Sequence, residues 1–278
     1  MKPLTPRPEP DLAFFDREGE RIAFRHRPAD DGRPTVLFLP GYGSDMAGIK
    51  ASAIDAHCAA HGLGCLRLDY SGTGLSSGAF ADGTLDRWLD EVLAAIDLVP
   101  KGRFVLVGSS MGGWIALHAA LRRPDRVAAL LGIAAAPDFT EWGFASEEEK
   151  VALRRDGRLE RLRPDGSVWL RTLDFWHSGQ ELRLLDAPIA LSIPVRLVHG
   201  ADDDAVPSAI ALRLFDRLES PDLELRLIKR AGHNLSEPDQ IAAILSELDQ
   251  LVERIALALP SNGRSPHLEH KHSAKDQA

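Results

Sequence analysis

The chain has 278 residues, 44% of them hydrophobic, which suits one large α/β domain or two small ones. Its formal net charge of −8 argues against a nucleic-acid partner, because nucleic-acid-binding proteins carry basic stripes. Segment 1–10 has no apolar stretch typical of a secretory signal, and no run of about 18 apolar residues could span a membrane. We therefore expect a soluble, cytoplasmic protein, in which Cys58 and Cys65 are free buried thiols.

Short apolar strands alternate with amphipathic helices along most of the chain. In the first half of the chain the pattern predicts strands at 12–16, 21–27, 35–39, 64–69, 104–107 and 127–134, with helices at 50–61, 85–98 and 114–121 between them. After a long interruption it predicts a strand at 195–199, a helix at 208–218, a strand at 223–228 and a helix at 238–259. This alternation predicts an α/β fold: a mostly parallel sheet that opens with an antiparallel hairpin and carries helices on both faces. Ligands of such sheets bind beyond the carboxyl ends of the strands.

Segment 138–191 interrupts the alternation. It contains a predicted hairpin, 159–163 with 168–172, and an aromatic-rich helix at about 173–185. We interpret the segment as a cap inserted into a single domain of residues 1–260, and the polar residues 261–278 as a disordered tail. Four cap aromatics are candidates for covering an acyl chain, although each could instead only attach the cap to the core: Trp142, Trp169, Phe175 and Trp176.

The segment 108–112 reads G-S-S-M-G and lies between a predicted buried strand and a predicted helix. This is the context in which G-x-S-x-G forms a nucleophile elbow, where a strained turn exposes the hydroxyl of the central serine, Ser110. Gly108 and Gly112 are required there because the two backbones nearly touch. A glycine-rich turn without chemistry is the alternative, and the flanking strand and helix favour the nucleophile.

Ser110 needs a base, and the base needs a carboxylate to orient it. In elbows of this kind the chain order is serine, acid, histidine. His233 follows the last predicted strand, and Asp203 follows the strand 195–199, so both lie at the carboxyl edge of the sheet. Asp203 fits the position of the acid best, with three other acidic residues left as alternatives: Asp202, Asp204 and Asp138.

Two backbone N–H groups are predicted to form an oxyanion hole. One belongs to Met111, directly after the serine, and the other to Tyr42, in the loop after strand 35–39. The ring of Tyr42 is expected to form a wall of the pocket.

Seven of the other histidines are expected to be structural or solvated. They fall on predicted helices, at a strand end or in the tail: His57, His61, His118, His199, His267, His270 and His272. We therefore predict no metal and no cofactor.

Taken together, these residues resemble the α/β-hydrolase superfamily over residues 12–257. Within it, the chain is similar to the group of mitochondrial palmitoyl-protein thioesterases that also cleave mycophenolic acid acyl-glucuronide. The segments that carry this resemblance are F-L-P-G-Y at 38–42, D-Y-S-G at 69–72, G-S-S-M-G-G-W at 108–114 and L-H-A-A at 117–120.

The resemblance implies a serine hydrolase that acts on S-acyl cysteine or on activated acyl esters. By motif match, it assigns the triad and the oxyanion donors to Ser110, Asp203, His233, Tyr42 and Met111. The chain departs from the group in having no recognisable mitochondrial transit segment and in its polar tail. The expected partner is a small-molecule or S-acylated protein substrate. The alternatives are a general carboxylesterase, a perhydrolase of the same fold, and a non-catalytic module that binds a small molecule.

Overall fold

A computed structural model describes residues 8–30, 32–162 and 168–258 of the chain. The turn of the predicted cap hairpin and the tail 261–278 lie outside the described residues.

Eight strands form one large sheet in the order β1-β2-β4-β3-β5-β6-β9-β10. Pairs β1–β2 and β2–β4 are antiparallel and all the other pairs are parallel, so the predicted fold class is confirmed. The strands are β1 (Leu12–Arg17), β2 (Glu20–Arg27), β3 (Thr35–Leu39), β4 (Gly64–Leu68), β5 (Phe104–Ser109), β6 (Val127–Ile133), β9 (Val195–Gly200) and β10 (Leu223–Ile228).

Helices cover both faces of this sheet. The helices outside the cap are α1 (Ile49–His61), α2 (Leu85–Leu98), α3 (Met111–Arg122), α7 (Ser208–Arg217) and α8 (Pro238–Ala258). Side chains of the central strands alternate between two apolar clusters: Leu37 packs with α2 and α3, whereas its neighbour Val36 packs with α1 and α8. Strands β3, β4, β5, β6 and β9 are buried along their whole length, which accounts for their mostly apolar sequences. Arg67 in β4 and Arg196 in β9 are buried exceptions.

Two glycines with positive φ lie at the ends of predicted elements. Gly19 adopts a φ of +85° in the turn between β1 and β2, and Gly62 ends α1 with a φ of +69°. One boundary was predicted too late: α3 begins at Met111, three residues before the expected start at Trp114, because the elbow serine itself precedes the first turn.

The segment between β6 and β9, for which the name cap is kept below, contains α4 (Phe139–Trp142), α5 (Glu147–Asp156), the antiparallel pair β7 (Arg158–Leu162) and β8 (Val168–Thr172), and α6 (Leu173–Glu181). The hairpin was predicted, but α5 was not, and α6 ends four residues before the expected Leu185. Helix α5 begins with a capping box in which Ser146 and Glu149 bond each other's backbone amides.

Candidate active site

The turn between β5 and α3 holds Ser110 in a strained conformation. Its φ of +55° and ψ of −119° lie outside the regions that non-glycine residues normally adopt. The chain around it is packed backbone to backbone: a Cβ at Gly108 would lie 2.3 Å from the Gly112 carbonyl oxygen. A Cβ at Gly112 would lie 2.1 Å from the Leu39 carbonyl oxygen. Glycine is therefore required at both positions, as the sequence predicts.

A hydrogen-bonded chain of three side chains runs from this turn to the loop after β9. His233 Nε2 lies 3.1 Å from Ser110 Oγ, and His233 Nδ1 lies 2.9 Å from Asp203 Oδ2. The Asp203 side chain is fully buried, whereas the His233 side chain is 26% exposed. The imidazole thus bridges a buried carboxylate and a hydroxyl at the edge of a cavity.

The environment of Asp203 favours its ionised form. Burial alone raises its pKa, but hydrogen bonds from His233 and from the Val206 amide outweigh burial and hold the pKa below the usual 3.8. The second oxygen of Asp203 accepts from the amides of Ala205 and Val206, at 3.0 and 2.8 Å. These bonds fix the orientation of the carboxylate relative to the imidazole.

The three alternative acids lie elsewhere. Asp202 and Asp204 are exposed on the surface of the turn. Asp138 is buried, but its two oxygens accept hydrogen bonds from the amides of Leu184 and Leu185, both at 2.8 Å, at the base of the cap.

Three other histidines make hydrogen bonds outside the Ser110–His233 pair, although Nε2 of one of them, His199, also lies 3.4 Å from Asp203 Oδ2. Nε2 of His199 lies 2.8 Å from the Val206 carbonyl oxygen, beneath the aspartate turn. His57 pairs with Asp249, and His118 bonds the Leu182 carbonyl at 2.8 Å. Within residues 8–30, 32–162 and 168–258, no group of three metal-ligating side chains is assembled. The tail histidines His267, His270 and His272 lie outside the described residues.

The loop after β3 lies against the elbow, where the second oxyanion donor was predicted. A Cβ at Gly41 would touch Ser110 Cβ and the Ser109 carbonyl oxygen, each at 3.3 Å. Among the described residues, the amides of Tyr42 and Met111 have no hydrogen-bond acceptor. The Tyr42 hydroxyl donates to the Leu170 carbonyl of the cap at 2.7 Å, so this residue joins the elbow to the cap.

A cavity of about 480 Å³ opens above Ser110 and His233. Of the four predicted aromatics, Trp142 and Trp169 line it. Phe175 and Trp176 do not: Phe175 is fully buried among other rings, and Trp176 donates its Nε1 hydrogen bond to the Thr140 carbonyl at 3.1 Å. Three further lining residues had no motif to reveal them: Lys50, Phe139 and Asn234.

The sequence and the fold agree with known proteins. The profile described as the alpha/beta hydrolase fold matches residues 34–156. Palmitoyl-protein thioesterase ABHD10 of mouse is 35% identical over 260 residues, which cover 91% of this chain and 86% of that protein. The human protein of the same name is 36% identical over 227 residues, 80% of this chain and 74% of the relative.

Solved structures of similar proteins have the same fold as this chain. Mouse alpha/beta hydrolase domain-containing protein 10 superposes with a TM-score of 0.80 at 34% identity, covering 88% of this chain and 99% of the other. A putative hydrolase from Agrobacterium vitis S4 gives 0.82 at 35% identity, covering 88% and 100%.

The thioesterase relatives are named as mitochondrial proteins, so the cytoplasmic location expected above receives no support from them. In the described part of the chain, no helix has the length and apolar character needed to cross a membrane. Because the likeness to the thioesterase relatives extends over most of both chains, and the fold agrees, this chain belongs to the α/β hydrolase family and is a hydrolase.

Proposed function

We propose that the protein is a serine hydrolase that cleaves acyl thioesters, and activated acyl esters, through a covalent acyl-enzyme. Ser110 is the nucleophile, His233 the general base and acid, and Asp203 the residue that orients the imidazole. The observation that carries this proposal is the unbroken hydrogen-bonded chain, 3.1 Å and then 2.9 Å long, that ends at a strained serine facing a cavity.

In the first half of the reaction, the Ser110 oxygen attacks the acyl carbonyl while His233 Nε2 takes the hydroxyl proton. The tetrahedral intermediate collapses when the carbon–sulfur or carbon–oxygen bond breaks. The proton on His233 then passes to the departing thiolate or alkoxide, which leaves as a thiol or alcohol. Asp203 stays ionised throughout and stabilises the transient imidazolium, because its pKa lies below the usual value.

In the second half, water replaces the leaving group. His233 takes a proton from this water, the resulting hydroxide attacks the acyl carbonyl, and the ester bond to Ser110 breaks. The proton returns to the serine oxygen, and a carboxylic acid is released. Each step uses only groups already joined by hydrogen bonds in this site, together with the substrate and one water molecule.

The amides of Met111 and Tyr42 are assigned to the oxyanion. Both lie in segments that meet at Ser110, and neither has another acceptor within the described chain. Loss of one such donor typically raises the barrier by about 3–4 kcal/mol, so the hole contributes on the same scale as the orientation of the triad.

Thioesters are favoured as the substrate class by the relatives, which are named palmitoyl-protein thioesterases. In this chain, Phe139, Trp142 and Trp169 give the cavity an aromatic wall suited to an acyl group. We further propose that residues 138–191 act as a cap on a single domain of residues 1–260, with Trp142 and Trp169 as its contribution to the acyl site.

The test compares two adjacent serines. Ser110→Ala should lower thiol release from butyryl and octanoyl thioesters by about 10⁵-fold or more, and should abolish labelling by a fluorophosphonate. Ser109→Ala is the matched control, because it changes the neighbouring residue in the same way but leaves the triad intact. It should still be labelled. Equal activity of Ser110→Ala and wild type would contradict the proposal, and activity on oxyesters alone would reassign the enzyme as a carboxylesterase.

A further inference from the structure

The proposed catalytic mechanism leaves one charged side chain of the cavity without a role. Lys50 lies in the first turn of α1, and its side chain reaches the cavity that contains Ser110 and His233. Its Nζ donates a hydrogen bond to the carbonyl oxygen of Asn234, the residue that follows the general base. The ammonium is therefore held beside the catalytic loop rather than extended into solvent.

The charge of Lys50 is not balanced inside the cavity. Among the lining residues that the structure describes, no aspartate or glutamate shares the cavity with Ser110, whereas Asp45 lines a neighbouring pocket that Lys50 also borders. Among the described residues, the hydrogen-bond partner of Nζ is the Asn234 carbonyl oxygen, and no carboxylate contributes to the pKa shift of this lysine. Burial lowers the pKa of this lysine because desolvation penalises its charged form, so an anion that entered the cavity would relieve this cost. Only one of the three ammonium hydrogens is accounted for by Asn234, which leaves the others for a ligand.

The position of Lys50 relative to the triad indicates which part of a substrate it meets. The general acid must deliver its proton to the leaving atom, so the leaving group lies against His233. Lys50 is bonded to the neighbouring Asn234, on that same side of the site. The aromatic side chains Phe139 and Trp142, which suit an acyl chain, come instead from the cap.

We propose that Lys50 determines leaving-group specificity, by binding a carboxylate that the thiol or alcohol half of the substrate carries a few bonds from the scissile bond. The inference rests on the proposed hydrolase function and names its substrate class more closely. A carboxylate next to Nζ would form a charge-assisted hydrogen bond in a partly dry cavity, where such bonds are strongest.

The test uses two thioesters of nearly equal size, S-butyryl-3-mercaptopropionate and S-butyryl-3-mercaptopropionamide. They differ in the charge of the leaving thiol, and dividing variant by wild-type rates cancels their intrinsic reactivity. Lys50→Met should lower kcat/KM for the carboxylate substrate about tenfold more than for the amide, mainly through KM, because the lost contact is made in the bound ground state. Lys50→Arg should restore most of the preference, because it returns a cation.

A third substrate, S-succinyl-3-mercaptopropionamide, carries its carboxylate on the acyl side. If Lys50→Met affects this substrate as much as the mercaptopropionate, the assignment to the leaving group is wrong. Equal losses on all three substrates would show that Lys50 only supports the loop of His233, and would overturn the inference while leaving the hydrolase function standing. If wild-type protein hydrolyses none of them, the proposed function itself fails, and this inference fails with it.

Discussion

The elbow around Ser110 and the cap above it are held together in different ways. At the elbow, backbone meets backbone: a Cβ at Gly112 would lie 2.1 Å from the Leu39 carbonyl oxygen. The cap is held to the rest of the fold by contacts between aromatic rings. Phe175 of the cap packs edge-on against Tyr42, with 4.8 Å between ring centroids. Further rings in contact with this pair extend the cluster: Phe80, Trp88, Phe139 and Phe144.

Under the proposed function, this difference separates the part of the molecule assigned to the chemistry from the part assigned to substrate entry. A close backbone approach accepts one residue type, so it leaves a motif in the sequence. A cluster of side chains accepts volume-conserving changes at modest cost, so the cap can change its shape without loss of the fold. We therefore expect changes at the elbow to alter the rate of the proposed reaction, and changes in the cap and the cavity walls to alter the choice of substrate.

The largest expected effect is a loss of kcat at the buried triad aspartate, Asp203. A buried aspartate at the base of the cap, Asp138, serves for comparison. Asp203→Asn should lower kcat about 10⁴-fold, because the amide cannot hold the imidazole in its catalytic tautomer. Asp138→Asn removes a charge at the base of the cap, where the carboxylate accepts from Leu184 and Leu185. It should keep kcat within about threefold, at a cost of about 1–2 kcal/mol in unfolding free energy.

Steady-state kinetics measure kcat, and denaturant unfolding measures the unfolding free energy, of Asp203→Asn and Asp138→Asn. A loss of kcat in Asp138→Asn as large as in Asp203→Asn would break the separation of chemistry from the cap. Asp202→Asn, an exposed neighbour of the catalytic acid, should change neither quantity.

The same glycine-to-alanine change should have unequal effects in the two regions. Gly112→Ala should destabilise the fold by more than about 3 kcal/mol, because the new methyl group meets carbonyl oxygens of the backbone that cannot move aside. Gly143→Ala, in the cap, should cost less than about 1 kcal/mol, because its Cβ would meet only the Phe139 carbonyl oxygen at 3.8 Å. Urea unfolding measures both. Similar losses at the two positions would contradict the account of the elbow.

The division also explains how much could be predicted from the sequence. The five central strands of the sheet are buried on both faces and mostly apolar, and the strained turn at Ser110 requires its glycines, so fold and elbow were predictable. Asp203 was separable from Asp202 and Asp204 only by its spacing after β9, and the structure places it alone next to His233.

The parts that were missed depend on tertiary packing. Helix α5 has a short, strongly polar sequence with only Leu153 buried, so it shows no apolar stripe. Phe175 and Trp176 looked like lining residues, because a composition rich in aromatics does not distinguish a ring inside a cluster from a ring on a wall. Lys50 reaches the site from α1, far from His233 along the sequence. No local pattern links the two.

The smallest expected effect is a change in how the unfolding free energy depends on pH. Burial raises the pKa of Glu91, on α2 beneath the sheet edge, to about 7, although its hydrogen bonds with Ser71 lower it. Because the folded-state pKa lies above the ordinary 4.5, the stability linked to protonation is present below pH 4.5 and is lost as pH rises through about 7. Glu91→Gln should remove this loss, so that the variant gains about 2–3 kcal/mol on wild type between pH 4.5 and pH 8.

Glu149 in the cap supplies the matched control, with the opposite sign. The Ser146 amide and then Arg171 lower its pKa, so its stabilising contribution is present above the ordinary value of 4.5 and is lost as pH falls. Glu149→Gln should therefore lower the unfolding free energy by a constant amount above about pH 4.5, leave the slope of the alkaline arm as in wild type, and flatten only the acid arm. Unfolding free energies measured from pH 4 to pH 8 distinguish the Glu91→Gln variant from the Glu149→Gln variant. If Glu91→Gln followed the wild-type curve above pH 6, Glu91 would be ionised in the folded core at little cost, and its contact with Arg87, 3.8 Å away, would be enough to offset its burial.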